Sequence, residues 1–136
     1  MVRGSVRKTV DRAKAVNYKT VAENFHDAAE MAMEYEYWNA AGVLIVHAAI
    51  AYADAVAIKI GGVKSQGEDH HDTASLLDEI IATGEGKKRA LHHLRSIIDH
   101  KTSVSYSGEV YGKSDADQLW KHMERFRDWA LEVLGT

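Results

Sequence analysis

Residues 37–60 read YWNAAGVLIVHAAIAYADAVAIKI, and their apolar side chains cover nearly every face of a helix. A helix that is apolar all round must lie among other helices or within a bilayer. His47 interrupts the stretch near its middle and Asp54 in its last two turns, and an ionised carboxylate is costly in hydrocarbon. The stretch therefore reads as the central helix of a small helical bundle and not as a membrane span.

On its N-terminal side, Val21, Phe25, Ala28, Ala32 and Tyr35 fall at spacings of three and four. They predict an amphipathic helix from about Asn17 to Glu36, with those residues as its apolar face. Residues 1–16 form a basic lead-in. On the C-terminal side, Gly61 and Gly62 close the central helix, and VKSQGE reads as a polar loop. Asp69 is the expected N-cap, with Asp72 in the place of a capping-box acid, of a third helix through Ala74, Leu77, Ile80 and Ile81. Thr83, Gly84 and Gly86 punctuate the chain again. From Lys87 to about Lys101, Leu91, Leu94, Ile97 and Ile98 make one apolar stripe. Lys88, Arg89, His92, His93, Arg95, Ser96 and His100 are left to the remaining, basic surface. Residues 102–113 read as polar and turn-like, and Ser114 with Asp117 as the cap of a last helix through Leu119, Trp120, Met123, Phe126, Trp129, Ala130 and Val133. Short connections favour antiparallel neighbours, so the predicted class is all-α: an up-and-down four-helix bundle with an additional short helix.

Composition agrees with that class. The 136 residues suffice for one domain, expected over 1–136, and are too few for two. The chain has no Pro, the strongest helix breaker, and no segment biased like a linker. A net charge of −3 supplies no global basic field, so any nucleic-acid contact needs a local patch. Without Cys there can be no disulfide and no thiolate zinc site. The opening MVRGSVRKTVDRAKAV lacks the apolar run of a signal peptide, which makes a cytoplasmic location the expectation.

Several motifs suggest chemistry. GGVKS has neither the spacing nor the preceding strand of a phosphate-binding loop, and a helix C-cap explains its glycines. In Asp69-His70-His71-Asp72, adjacent helical side chains point about 100° apart and cannot share one ion, so neither a metal nor another cofactor is expected. His47 and Asp54 lie two turns apart, too far to bond each other, and are expected to be buried polar groups satisfied by neighbouring helices. Lys101, on the apolar side of its helix, is the suggested counter-ion for Asp54.

The sharpest candidate is Arg95-Ser-Ile-Ile-Asp-His100. Arg can hold a phosphate through two parallel hydrogen bonds, and His can move a proton near neutral pH. Together they suit attack of an RNA 2′-hydroxyl on its own phosphodiester, with no metal required. Seven Arg and eight His in this chain yield roughly one such pair by chance, so the spacing alone decides little. On a regular helix the two side chains lie about 140° apart. They converge if the helix ends near His100 or if a second subunit completes the site.

Four segments in order, AAGVLIVHAAIAYADA, GEDHHD, ALHHLRSIIDHK and SDADQLWKHMERFRDWALEVL, resemble the HEPN superfamily of small helical bundles. Such bundles occur in nucleotidyltransferase-associated modules, toxin-antitoxin pairs and defence systems. The resemblance spans most of residues 20–134, and the spacing of Arg95 and His100 matches the family's RNase motif. It implies a homodimer in which the motif Arg and His of two subunits meet and cleave RNA without metal. Arg95 would polarise the phosphate and His100 serve as acid or base, with Ser96 and His93 in support. Ser96 departs from the family pattern, where Asn, Asp or His is commoner. The other role the resemblance implies is a noncatalytic subunit that binds a nucleotide, an RNA or a partner nucleotidyltransferase.

Overall fold

Residues 6–67, 69–84 and 86–135 are described by a computed structural model. The chain forms helices α1 (Ala15–Glu34), α2 (Trp38–Gly61), α3 (His71–Ile80), α4 (Lys87–Ile98), α5 (Lys101–Ser105) and α6 (Lys113–Leu134). Among the described residues the only sheet is a ribbon of β1 (Arg7–Thr9) antiparallel to β2 (Val63–Ser65), with Lys8 opposite Lys64. The bundle is all-α in class, and α2 is its axis, touching α1, α3, α4, α5 and α6. By length and composition α2 is apolar enough to cross a membrane, yet 83% of its most apolar window is buried within the protein. Its neighbours supply the apolar surroundings that its sequence demands.

Local signals place most boundaries to within two residues. Gly62 adopts φ 64°, and its amide bonds Ile58 O, so α2 ends on a left-handed cap as its two glycines predict. Asp69 Oδ1 accepts from the His71 amide at 2.9 Å, capping α3. Gly112, not Ser114, stands before α6, and its amide donates to Asp115 Oδ2 at 2.9 Å. The basic lead-in and the polar VKSQGE segment pair with each other as β1 and β2, and Arg7 forms an ion pair with Glu79 of α3. Three residues per strand are too few for a period-two pattern to stand out.

The apolar face of α1 differs from the predicted one. Ala22, His26, Ala29 and Ala32 are buried, while Val21, Ala28 and Tyr35 face outward. Small residues let the α1 backbone approach α2 closely, and these two helices form the most extensive pair in the bundle. Larger side chains on α1 are left outside that contact.

Gly42 performs a similar service for α5. A Cβ there would overlap Val104 Cγ2, and Val104 is the one buried residue of α5. On helix propensity alone, Gly42→Ala gains about 1 kcal/mol. Overpacking against Val104 is expected to win and to lower stability by about 1–3 kcal/mol in urea unfolding. A variant as stable as the parent would contradict this contact.

Candidate functional site

α4 carries the Arg-to-His segment along the rim of the bundle. Its buried side is Ala90, Leu91, His93, Leu94, Ile97 and Ile98. The helix ends at Ile98, and the His100 amide bonds Ile97 O at 3.0 Å, tightening the chain before α5. His71 Nε2, from the start of α3, meets Asp99 Oδ1 at 2.8 Å and holds this turn from one side.

From the other side a ring of hydrogen bonds fixes His100. Its Nδ1 lies 2.7 Å from Tyr111 Oη, which lies 2.6 Å from Ser103 Oγ, and Ser103 donates to His100 O at 3.2 Å. A hydroxyl has one proton to give. With Ser103 donating to the carbonyl, Tyr111 must donate to Ser103, and the His100 Nδ1–H must donate to Tyr111. That direction leaves Nε2 as the nitrogen free to take or give a proton, and among the described residues it has no hydrogen-bond partner.

Asn39, at the start of α2, positions the segment that carries Tyr111. Its Nδ2 donates to Val104 O at 3.0 Å and Glu109 O at 2.9 Å, and its Oδ1 accepts from the Tyr111 amide at 2.8 Å. One amide thus satisfies three backbone groups of a segment without regular structure. Periodicity cannot reveal such a residue, because Asn39 sits in the first turn of a helix whose signal is apolar.

The remaining predicted residues separate. Arg95 is half-buried and forms no ion pair or side-chain hydrogen bond among the described residues, and no contact joins it to His100 within the chain. Ser96 Oγ donates to His92 O at 3.0 Å, so its hydroxyl is committed to its own helix. His93 is not on the solvated face that its helix predicts. It is 7% exposed beneath α6, with Nδ1 at 2.8 Å from His122 Nδ1. Its Nε2 is buried without a partner, a position that suits a bare lone pair better than an N–H. Burial, then the charges of His122, His92, Arg125 and Arg89, hold the His93 imidazole below its ordinary value. Burial likewise lowers His122, with His92, His100 and Arg125 adding to the effect. Arg89, Arg125, His92, His93, His100 and His122 therefore feel one another as a local basic patch on a chain of net negative charge.

His47 is exposed and not buried, tilted against Phe25 with ring centroids 5.6 Å apart. Partial burial and then the Lys101 ammonium lower its pKa, and the same two causes lead at His70. Lys101 therefore faces those imidazoles and is not the partner of Asp54. That partner is Lys64 of β2, Nζ to Oδ2 at 3.7 Å, a residue the sequence places in a loop.

Asp54 is buried as expected, and burial pushes its carboxyl up to about 6 despite Lys64. A raised folded-state pKa gives stability that is present below the unfolded value and lost as pH rises through about 6. Asp54→Asn is therefore expected to gain about 1–3 kcal/mol at pH 8. The gain over the parent should shrink on acidification through pH 6. A loss at pH 8 would show that the Lys64 pair outweighs desolvation.

A second polar cluster lies between α1, α2 and α6. Arg127 donates to Tyr52 Oη at 2.7 Å and to Glu23 Oε2 at 2.9 Å. Burial acts to raise the Glu23 carboxyl, but bonds from Arg127 and Tyr52 outweigh it and the pKa falls. Ligand atoms of Glu23, His26 and Asp27 lie within 4.8 Å of one another, at the helical spacing that metal sites use. The Arg127 guanidinium already neutralises Glu23, so the cluster reads as an ion-pair network joining three helices.

With this geometry in place, comparison with known families gives one answer: the HEPN domain model matches residues 15–134. The chain belongs to the HEPN family. No curated protein and no solved structure matches it. The match covers all six helices and leaves out β1, so the ribbon that brings Lys64 toward Asp54 lies partly outside the HEPN match.

Proposed function

We propose that this HEPN protein is an endoribonuclease of the toxin type that needs no metal, with Arg95 and His100 as its catalytic pair. The observation that supports this most is the His100 ring: Nδ1 is tied to Tyr111 and Nε2 is left without a partner, as an acid–base imidazole requires. Arg95, with no carboxylate to neutralise it, is available for a phosphate, and the surrounding patch favours an anionic chain. Nε2 would take the proton of a 2′-hydroxyl as that oxygen attacks phosphorus, and Arg95 would carry the charge that develops on the non-bridging oxygens. The P–O5′ bond breaks, and the 5′ oxygen leaves with a proton. Because Arg95 and His100 do not touch within one chain, we propose that a homodimer completes the site, as the resemblance implies, in the cytoplasm.

The same separation supports a second reading, in which Arg95 docks a nucleotide, an RNA or a partner nucleotidyltransferase without cleaving anything. Incubating the purified chain with RNA in a chelator separates the two. The nuclease reading expects cleavage that disappears in both Arg95→Ala and His100→Ala while the helical circular dichroism is retained. RNA binding without cleavage, weakened by Arg95→Ala, selects the docking role.

A further inference from the structure

α1 presents to solvent a second stripe that the bundle leaves unused. Asn17, Val21, Asn24, Ala28, Met31 and Tyr35 follow one another at alternating gaps of four and three, and all six are exposed. Val21 is 46%, Met31 58% and Tyr35 66% exposed, fractions that single this helix out for its uncovered apolar side chains. Alternation of four and three averages 3.5 residues, the repeat of a helix seam that faces another helix. The seam spans about 27 Å at 1.5 Å per residue.

We infer that this seam pairs with the same seam of a second copy, the two α1 helices running antiparallel. The pattern is complementary to itself only in that sense. A two-fold axis midway between Asn24 and Ala28 sets Tyr35 against the partner's Asn17, Met31 against the partner's Val21 and Asn24 against the partner's Ala28. Each layer joins a larger side chain to a smaller or polar one, and every layer combines one residue from each of the two heptad rows.

Charge selects the same direction. Arg12, Lys14 and Lys19 lie at the beginning of α1, and Glu30, Glu34 and Glu36 at or just beyond its end. Antiparallel pairing brings each cationic end to an acidic end, whereas parallel pairing sets like against like. Asp27 lies closest to the axis, so two carboxylates approach there, and each is already hydrogen-bonded to its own His26 at 2.9 Å. The two Asn residues in the seam cost apolar contact but fix the register, the recognised use of a polar residue in such a stripe. This surface belongs to α1, away from Arg95 and His100 on α4 and its turn, and the inference stands whether or not the chain cleaves RNA.

The test uses the absence of native cysteine. Val21→Cys and Met31→Cys are prepared singly and also co-expressed, and each sample is oxidised with diamide. In the inferred register Val21 faces the partner's Met31, while two copies of position 21 are offset by ten residues, about 15 Å. The co-expressed pair is expected to give at least about tenfold more disulfide-linked dimer than either variant alone. Met31→Glu should convert the native dimer to monomer in light scattering, with unchanged circular dichroism because the residue is exposed. A native chain that is monomeric at every concentration, or Val21→Cys crosslinking best with itself, would overturn the inference. RNA cleavage is not read in either experiment, so failure here leaves the nuclease proposal standing, and failure of that proposal leaves the seam standing.

Discussion

His100→Ala is expected to reduce RNA cleavage by at least about a hundredfold, the usual span for loss of a positioned acid–base group. The argument rests on one hydrogen-bonded ring, and that ring makes a finer prediction. Tyr111→Phe keeps the buried aromatic body but removes the hydroxyl between His100 Nδ1 and Ser103 Oγ. The imidazole then loses the partner that sets its tautomer, so cleavage should fall on the order of tenfold while the fold persists. Arg95→Lys should restore only part of what Arg95→Ala loses, because an ammonium cannot reproduce the two parallel bonds of a guanidinium to phosphate. If Tyr111→Phe cleaves as fast as the parent, His100 is not oriented by this ring.

Asn39→Ala should be among the most destabilising single changes in the chain, at about 2–4 kcal/mol in urea unfolding. The substitution removes one side chain and strands two carbonyls and one amide, those of Val104, Glu109 and Tyr111. Tyr111 is only 5% exposed, so water cannot readily replace the lost acceptor at its amide. Asn39→Asp distinguishes this reading from a simple loss of packing. The carboxylate can still accept from the Tyr111 amide but cannot donate to either carbonyl, and it would set like partial charges together. It should therefore destabilise as well, despite nearly identical volume. A loss below about 0.5 kcal/mol in both variants, the range of an unremarkable surface change, would show that the 102–112 segment is held by something else.

These contacts also show why the site was less legible than the fold. The central helix could be read because apolar side chains on every face leave a soluble chain few alternatives, and α2 is buried accordingly. Capping chemistry gave the ends of α2 and α3 for the same local reason. On α1 the spacing was right but the choice of face was not: Val21, Ala28 and Tyr35 share a stripe as regular as the one that is buried, and close approach to α2 favours alanines over larger groups. His93 was misassigned for a related reason, since only the arrival of α6 turns that side of α4 inward. Tyr111, Ser103, Asn39 and His122 reach the α4 region from 8 to 61 residues away in sequence from His100 or His93, and polar contacts of that kind have no period. Lys64 escaped as the partner of Asp54 because its strand exists only through pairing with residues 7–9.

The most direct test is to map the ends of RNA cut by the purified protein in the presence of a chelator. Attack by the 2′-hydroxyl, with His100 moving the proton and Arg95 holding the phosphate, leaves a 2′,3′-cyclic phosphate and a 5′-hydroxyl, and both disappear in Arg95→Ala and His100→Ala. RNA left intact, or cut to a 3′-hydroxyl and a 5′-phosphate, would contradict it.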